Sequence, residues 1–142
     1  MSKSSTFSNA LLKLIFQGVA IPTICDNAAS SPLTQLFVSL HTDDPGVGGD
    51  QSSNESSYTG YARVALNRNS SDWVITGISV SPAADITFPA GTAGSGTVTF
   101  VAIGTDVSGT NMYLHAGALS PPILTGAGIT PIITSTSVIG EQ

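Results

Sequence analysis

Residues 97–103 read Thr-Val-Thr-Phe-Val-Ala-Ile, and this stretch decides the class of fold. Apolar or small side chains at Val98, Phe100 and Ala102 occupy every second position, and the positions between them carry mostly hydroxyl groups. Successive side chains of a β-strand point to opposite faces, so alternation of this kind predicts a strand with one buried face.

Similar short runs recur on both sides of this stretch and are separated by Gly, Pro, Asn and Asp, the residues that turns favour. We predict strands at residues 36–41, 61–66, 73–76, 78–80, 86–88, 97–103, 112–118 and 132–139. Short strands with frequent turn signals are typical of a mainly β protein, here an antiparallel β-sandwich or a jelly-roll-like barrel.

A helical pattern precedes the strands. Apolar side chains between Phe7 and Ile15 recur at spacings of three and four residues, which predicts an amphipathic helix over residues 5–18. Ser5 or Thr6 can cap its start, and Gly18 can end it in a left-handed conformation. We therefore expect an N-terminal helix-and-connector arm, residues 1–35, followed by a β-sandwich domain, residues 36–142.

The predicted helix is apolar on more than one side, because Leu12 and Phe16 lie off its main stripe. It can pack on its own domain or dock on another protein. For the second case the candidate docking side chains are Phe7, Leu11, Leu12, Leu14, Ile15 and Phe16.

Few side chains are charged. The charged fraction is 9%, against about 25% in an ordinary globular domain. The four Lys and Arg residues cannot neutralise a nucleic-acid backbone, and no residue after Arg68 is a Lys or Arg, so we expect no nucleic-acid partner. No apolar run approaches the roughly 20 residues of a membrane helix, so we expect no membrane partner.

A long polar loop covers residues 42–59 and contains four of the nine acidic side chains of the chain. Carboxylates are the ligands that calcium prefers, and the candidates are Asp43, Asp44, Asp50 and Glu55. The spacing of a helix–loop–helix calcium site is absent, however, and the alternative is a turn that Asp43 or Asp44 caps and Pro45 and Gly46 complete. We predict the turn, without a bound metal or other cofactor.

Catalytic constellations are not evident. A hydrolase needs a nucleophile held by a base, and His41 and His115 are the two histidines that could serve. A Gly-x-Ser-x-Gly elbow is missing, and both histidines fall in predicted strands. We therefore expect no catalytic residues and no enzymatic activity.

Five stretches follow one another along the chain: FSNALL at 7–12, LFVSLHTDDPG at 36–46, NE at 54–55, YTGYARV at 58–64 and ITFP at 86–89. This succession resembles a family of small structural proteins that tailed bacteriophages encode among their virion genes. Members are labelled tail fibre, minor tail or head decoration proteins, and the resemblance extends from about Phe7 to Ala118. It implies a non-enzymatic virion protein, assembled in the cytoplasm of the host bacterium.

Within this family the favoured hypothesis is a capsid decoration or cement protein that docks on the head lattice. Its partner would be the major capsid protein, with tail proteins as the alternative. A homo-oligomer is expected, and a trimer about a capsid symmetry axis is one arrangement that fits. The alternatives are a tail-associated tube, tip or fibre subunit, and a receptor- or carbohydrate-binding β-module.

The family-like motifs also suggest an ion pair. Arg63 is one of two cations in the β-region, and carboxylates of the same strand–loop unit, such as Asp43, Asp44 or Glu55, are its expected partners. Asp44, Pro45 and Gly46 would form the turn at the exit of the first strand.

Overall fold

The structure is a computed structural model that describes residues 3–21, 24–25 and 31–140. These residues form one helix, α1 (Ser5–Gln17), and nine strands. The strands are β1 (Gln35–His41), β2 (Val64–Asn67), β3 (Trp73–Thr76), β4 (Ser79–Pro82), β5 (Ile86–Thr87), β6 (Ser95–Gly104), β7 (Tyr113–Gly126), β8 (Ile132–Ile133) and β9 (Ile139–Gly140). The prediction of a mainly β, antiparallel fold with an N-terminal helix is confirmed. No helix of the described ranges is long and apolar enough to cross a membrane.

Contacts divide the chain into two compact units. Unit 1 contains residues 1–35, 67–85 and 134–142, and unit 2 contains residues 36–66 and 86–133. A grouping by contacts does not test independent folding, so the division into an arm of residues 1–35 and a domain of residues 36–142 stays a prediction.

Helix α1 belongs to unit 1 and begins one residue after its cap. The Ser4 hydroxyl accepts a hydrogen bond from the Phe7 N–H at 3.2 Å, so Ser4 caps the helix in place of the predicted Ser5 or Thr6. Gly18 ends the helix with φ 67°, in the left-handed region that glycine adopts without steric cost.

The buried side of α1 is not the main apolar stripe. Its fully buried apolar side chains are Leu12 and Phe16, the two that lie off that stripe. The ring of Phe16 packs edge-on against Trp73, with ring centroids 4.8 Å apart. Trp73 begins β3, which pairs with β4, and β4 in turn pairs with β9.

Unit 2 is built on a four-stranded sheet in the order β2-β1-β6-β7. β1 and β6 run antiparallel, with Phe37 opposite Gly104 and Leu40 opposite Val101. Buried apolar side chains of these two strands form the centre of the core: Leu36, Val38, Leu40, Val98, Ala102 and Ile103.

Six of the predicted strands lie within three residues of the observed bounds at each end; β2, for example, begins at Val64 and not at residue 61. The other two predicted strands differ more. The strand predicted at 112–118 continues to Gly126. Ala118 pairs with Phe100 and Ile123 pairs with Val98, so residues 119–122, which include Pro121 and Pro122, lie in a register shift between the two paired segments. The strand predicted at 132–139 is instead the two short strands β8 and β9, separated by a turn in which the Ser137 N–H bonds to the Thr134 carbonyl.

Candidate functional site

Glu55 and Arg63 form an ion pair in unit 2, between the polar loop 42–59 and the residue that precedes β2. Arg63 Nε lies 2.7 Å from Glu55 Oε1, and Arg63 Nη2 lies 2.8 Å from Oε2. The Arg63 side chain is 2% exposed and that of Glu55 is 17% exposed. Two parallel charge-assisted bonds fix the geometry of both side chains, and the bonds to Glu55 raise the pKa of Arg63.

Tyr61 completes the environment of Glu55. Its hydroxyl donates to Glu55 Oε1 at 2.8 Å and accepts from the backbone N–H of Leu40 at 3.1 Å. Burial raises the pKa of Tyr61, so the hydroxyl keeps its proton and serves as a donor. The carboxylate thus receives three hydrogen bonds, which compensate for its partial removal from water.

Arg63 also binds the turn between β6 and β7. Its Nη1 donates to the carbonyl of Asp106 at 2.9 Å, and its Nη2 donates to the carbonyl of Gly109 at 2.8 Å. The polar loop binds the same turn independently, because the Gln51 N–H donates to the Asn111 carbonyl at 2.8 Å. The Tyr113 hydroxyl at the start of β7 also donates to the Gly46 carbonyl of the loop, at 2.8 Å. One buried guanidinium therefore connects two segments that are distant in sequence.

A second polar cluster lies on β1. His41 Nδ1 is 2.8 Å from the Ser53 carbonyl, and a carbonyl can only accept, so Nδ1 carries the proton. Nε2 is then free to accept from the Ser39 hydroxyl at 2.9 Å. Burial lowers the pKa of His41, which keeps the ring neutral.

This serine–histidine pair has the contact of a hydrolase dyad but not its accessibility. Both residues are 0% exposed, so no substrate can reach the Ser39 hydroxyl in this conformation. The group that orients His41 is a backbone carbonyl, which cannot stabilise an imidazolium as a carboxylate would. The arrangement fixes the polar loop to β1.

Gln51 is a site residue that sequence reasoning missed. It is 0% exposed, and its Nε2 donates to the Phe37 carbonyl at 2.8 Å and to the Ser39 hydroxyl oxygen at 3.2 Å. It lies so close to Gly104 that a Cβ there would be 2.1 Å from Gln51 Oε1. A glycine opposite β1 was the one signal of this close approach.

The acidic side chains of the polar loop serve local turns. Asp43 accepts from the Asp44 N–H, and Asp44 accepts from the Gly46 N–H, both at 2.8 Å. Gly46 has φ 73°, and Pro45 lies between the two residues of this Asx turn. The Ser52 hydroxyl and N–H hydrogen-bond to Asp50 and lower its pKa.

The four candidate calcium ligands do not converge. Glu55 is bound to Arg63, while the other three carboxylates face their own backbone turns. Within the described ranges, no group of three or more His, Cys, Asp and Glu side chains could hold a metal ion.

The six candidate docking residues of α1 separate into two sets. Leu12 and Phe16 are fully buried within unit 1. The other four reach the surface: Phe7 is 38% exposed, and Leu11, Leu14 and Ile15 are half-buried. The accessible apolar face of α1 therefore consists of these four side chains.

Comparison with known protein families identifies one matching family. A family model described as "Podophage GP4 fiber I protein gp80" matches residues 2–138, nearly the whole chain. No curated protein sequence matches the chain.

Proposed function

The chain belongs to the family described as podophage GP4 fiber I protein gp80, and on that premise we propose that it is a non-enzymatic fibre subunit of a tailed-phage virion. The observation that carries this proposal is the match over residues 2–138, which includes both compact units. The subunit would function in the virion, where it binds other virion proteins and further copies of itself.

The family description names a fibre. It therefore supports the tail-associated alternative better than the capsid decoration role that the sequence motifs favoured. We place the subunit on the tail, with tail proteins as its partners in place of the major capsid protein.

The buried polar clusters fit a structural subunit. Ser39 and His41 are enclosed, and Arg63 is committed to Glu55 and to two backbone carbonyls. These groups stabilise loop positions on the sheet of unit 2, which is the requirement of a protein that must keep its shape in an assembly.

The accessible face of α1 is our proposed docking element for a neighbouring virion protein. Leu12 and Phe16 hold the helix to unit 1, so the helix is already ordered when Phe7, Leu11, Leu14 and Ile15 meet a partner. Docking by an ordered helix avoids the entropic cost of folding a free segment on binding.

Location in the particle tests the fibre role. Virions assembled with an epitope-tagged chain would be labelled with gold-conjugated antibody and imaged by electron microscopy, and copy number would be measured by quantitative mass spectrometry. We expect gold at the tail and a small copy number. Label over the whole head, at a copy number that fills the lattice, would reject the fibre role in favour of capsid decoration.

Two substitutions in the first turn of α1 test the docking element. Phe7→Asp places a charge on the accessible apolar face, and Thr6→Asp places the same charge on the adjacent exposed position as the matched control. Both charges lie near the helix N-terminus, where they are favourable. We expect Phe7→Asp to fold but to be missing from virions and Thr6→Asp to be incorporated; equal incorporation would exclude this face.

A further inference from the structure

Ser39, His41 and Gln51 form one enclosed cluster between β1 and the polar loop 42–59. All three residues are 0% exposed. Ser39 and His41 are two positions apart on β1, so their side chains lie on the same face of the sheet. Gln51 belongs to the loop, and its Nε2 donates to the Ser39 hydroxyl oxygen at 3.2 Å. The fold therefore brings a hydroxyl, an imidazole and a carboxamide together away from solvent.

The Ser39 hydroxyl has a base on one side and a carboxamide on the other. It donates to His41 Nε2 at 2.9 Å, and that nitrogen carries no proton because Nδ1 donates to the Ser53 carbonyl. The neutral ring can therefore accept the hydroxyl proton. The carbonyl carbon Cδ of Gln51 is bonded to Nε2, so it lies within about 4.5 Å of Ser39 Oγ. Attack requires about 3–3.5 Å, which a rotation of the carboxamide would supply.

The carboxamide of Gln51 is only partly satisfied by hydrogen bonds. Nε2 donates to the Phe37 carbonyl and to Ser39, but Oε1 is buried and has no hydrogen-bond partner among the described residues. Gly104 admits the group, because a Cβ there would lie 2.3 Å from Gln51 Cδ. An unpartnered buried oxygen is costly, and a reactive role is one of the few reasons for which folded proteins retain one.

We propose that the Ser39 hydroxyl attacks the Gln51 carboxamide and forms an ester cross-link between β1 and the polar loop. His41 Nε2 accepts the hydroxyl proton as Ser39 Oγ bonds to Gln51 Cδ. The tetrahedral intermediate then expels the amide nitrogen, which takes that proton from His41 and leaves as ammonia. One C–O bond forms and one C–N bond breaks, and the step needs no oxidant, reductant or second substrate.

Enclosure, which keeps an external substrate from Ser39, suits a reaction within the chain. Both reacting groups are already held in the cluster, so the step has the advantage of an intramolecular reaction. Water that would hydrolyse the ester is excluded from the same place, whereas ammonia that escapes is protonated and diluted by the solvent. The reaction occurs once per chain, so a slow rate without a carboxylate behind His41 is sufficient. This inference goes beyond the proposed fibre role and does not depend on it.

Intact-mass spectrometry of the purified, denatured full chain tests the cross-link. We expect the wild-type chain to be lighter than its sequence mass by one ammonia molecule. Ser39→Ala removes the nucleophile and His41→Gln removes the base, so each variant should have the full mass of its own sequence. Gln35→Ala is the matched control, because Gln35 is an exposed glutamine on the same strand, and this variant should still lose ammonia.

Digestion with a protease that cleaves before aspartate locates the bond. Asp43, Asp44 and Asp50 lie between residues 39 and 51, so the digest separates these two residues unless a cross-link joins their peptides. We expect joined peptides in the wild-type digest. Neutral hydroxylamine should then release them, because it cleaves esters and leaves amides intact.

A wild-type chain at its full sequence mass would overturn the proposal. So would ammonia loss that persists in Ser39→Ala, that Gln35→Ala abolishes, or that the digest assigns to other residues. The wild-type mass and digest involve no substitution, so they decide the question even where circular dichroism shows that a variant fails to fold. Failure here would leave the fibre role to be decided by the labelling experiment.

Discussion

Replacing Arg63 by methionine should destabilise the folded chain strongly, because it removes one half of the buried ion pair with Glu55. Arg63 donates four hydrogen bonds, two to Glu55 and two to carbonyls of the β6–β7 turn. Breaking a buried pair costs about 3–5 kcal/mol. Since the Glu55 side chain keeps 17% exposure, water relieves part of its charge, and we expect the lower end, about 3 kcal/mol.

Equilibrium denaturation with urea measures this loss, and a thermal melt provides a second estimate. At about 3–4 °C per kcal/mol for a chain of this size, the melting temperature should fall by roughly 10 °C. Lys13→Met, which removes an exposed cation of α1, is the matched control and should change the free energy of unfolding by less than about 0.5 kcal/mol.

A double-mutant cycle with Glu55→Gln tests the pair itself. Glu55→Gln leaves the guanidinium of Arg63 uncompensated at 2% exposure, so this single change should cost at least as much as Arg63→Met. The double variant leaves no buried charge, and its cost should be below the sum of the single costs by at least about 1 kcal/mol. Additive costs, or an Arg63→Met variant as stable as the wild type, would refute the reasoning.

Three further predictions concern unit 2. Burial lowers the pKa of His41, so as the pH falls through about 6.5 the unfolded chain binds a proton before the folded chain does. The free energy of unfolding should therefore be at its full value above that pH and decline below it. Thermal melts from pH 7.5 to 5 would show this decline, and His41→Gln should give a flatter profile. Gly104→Ala should cost about 1–3 kcal/mol because its Cβ meets Gln51, whereas Gly48→Ala, whose Cβ meets nothing, should be close to neutral in urea denaturation. Calcium should leave the melting temperature unchanged, because the carboxylates of the loop 42–59 do not converge; a rise at millimolar calcium would contradict this.

Strands with strong side-chain alternation could be predicted from the sequence. The burial of Val98 and Ala102 follows from their place in β6, and the hydrophobic run of β1 is buried as such runs usually are. Prediction failed where tertiary contacts override the local pattern. The hydroxyl-rich run at 132–139 has the alternation of one strand, yet a turn after Thr134 divides it between partners in two different units.

The polar site could be predicted only in part, because local sequence does not show how a loop folds back. Because the chain has few cations, the sequence predicted a carboxylate partner for Arg63, but it left Asp43, Asp44 and Glu55 as equal candidates. In the structure the partner is Glu55. Gln51 gave no local signal, since a glutamine in a Gly- and Ser-rich loop is ordinarily solvated. Its burial depends on Gly104, which lies more than fifty residues away in sequence.

The hydrogen bonds of Arg63 and Arg68 protect both residues from trypsin in the folded chain. Trypsin cleaves after Lys and Arg, and the cations of this chain are Lys3, Lys13, Arg63 and Arg68. Arg63 is enclosed by Glu55 and two carbonyls, while Arg68 donates to the carbonyls of Leu14, Ile15 and Leu33. Cleavage at either arginine therefore requires local opening of the fold.

Beyond Arg68 there is nothing for trypsin to recognise, whether the chain is folded or not. Residues 69–142 would stay together within one long tryptic fragment, so a survey of virion proteins based on short tryptic peptides would undercount this chain. Digestion with a protease that cleaves after apolar residues would give its true abundance in the particle.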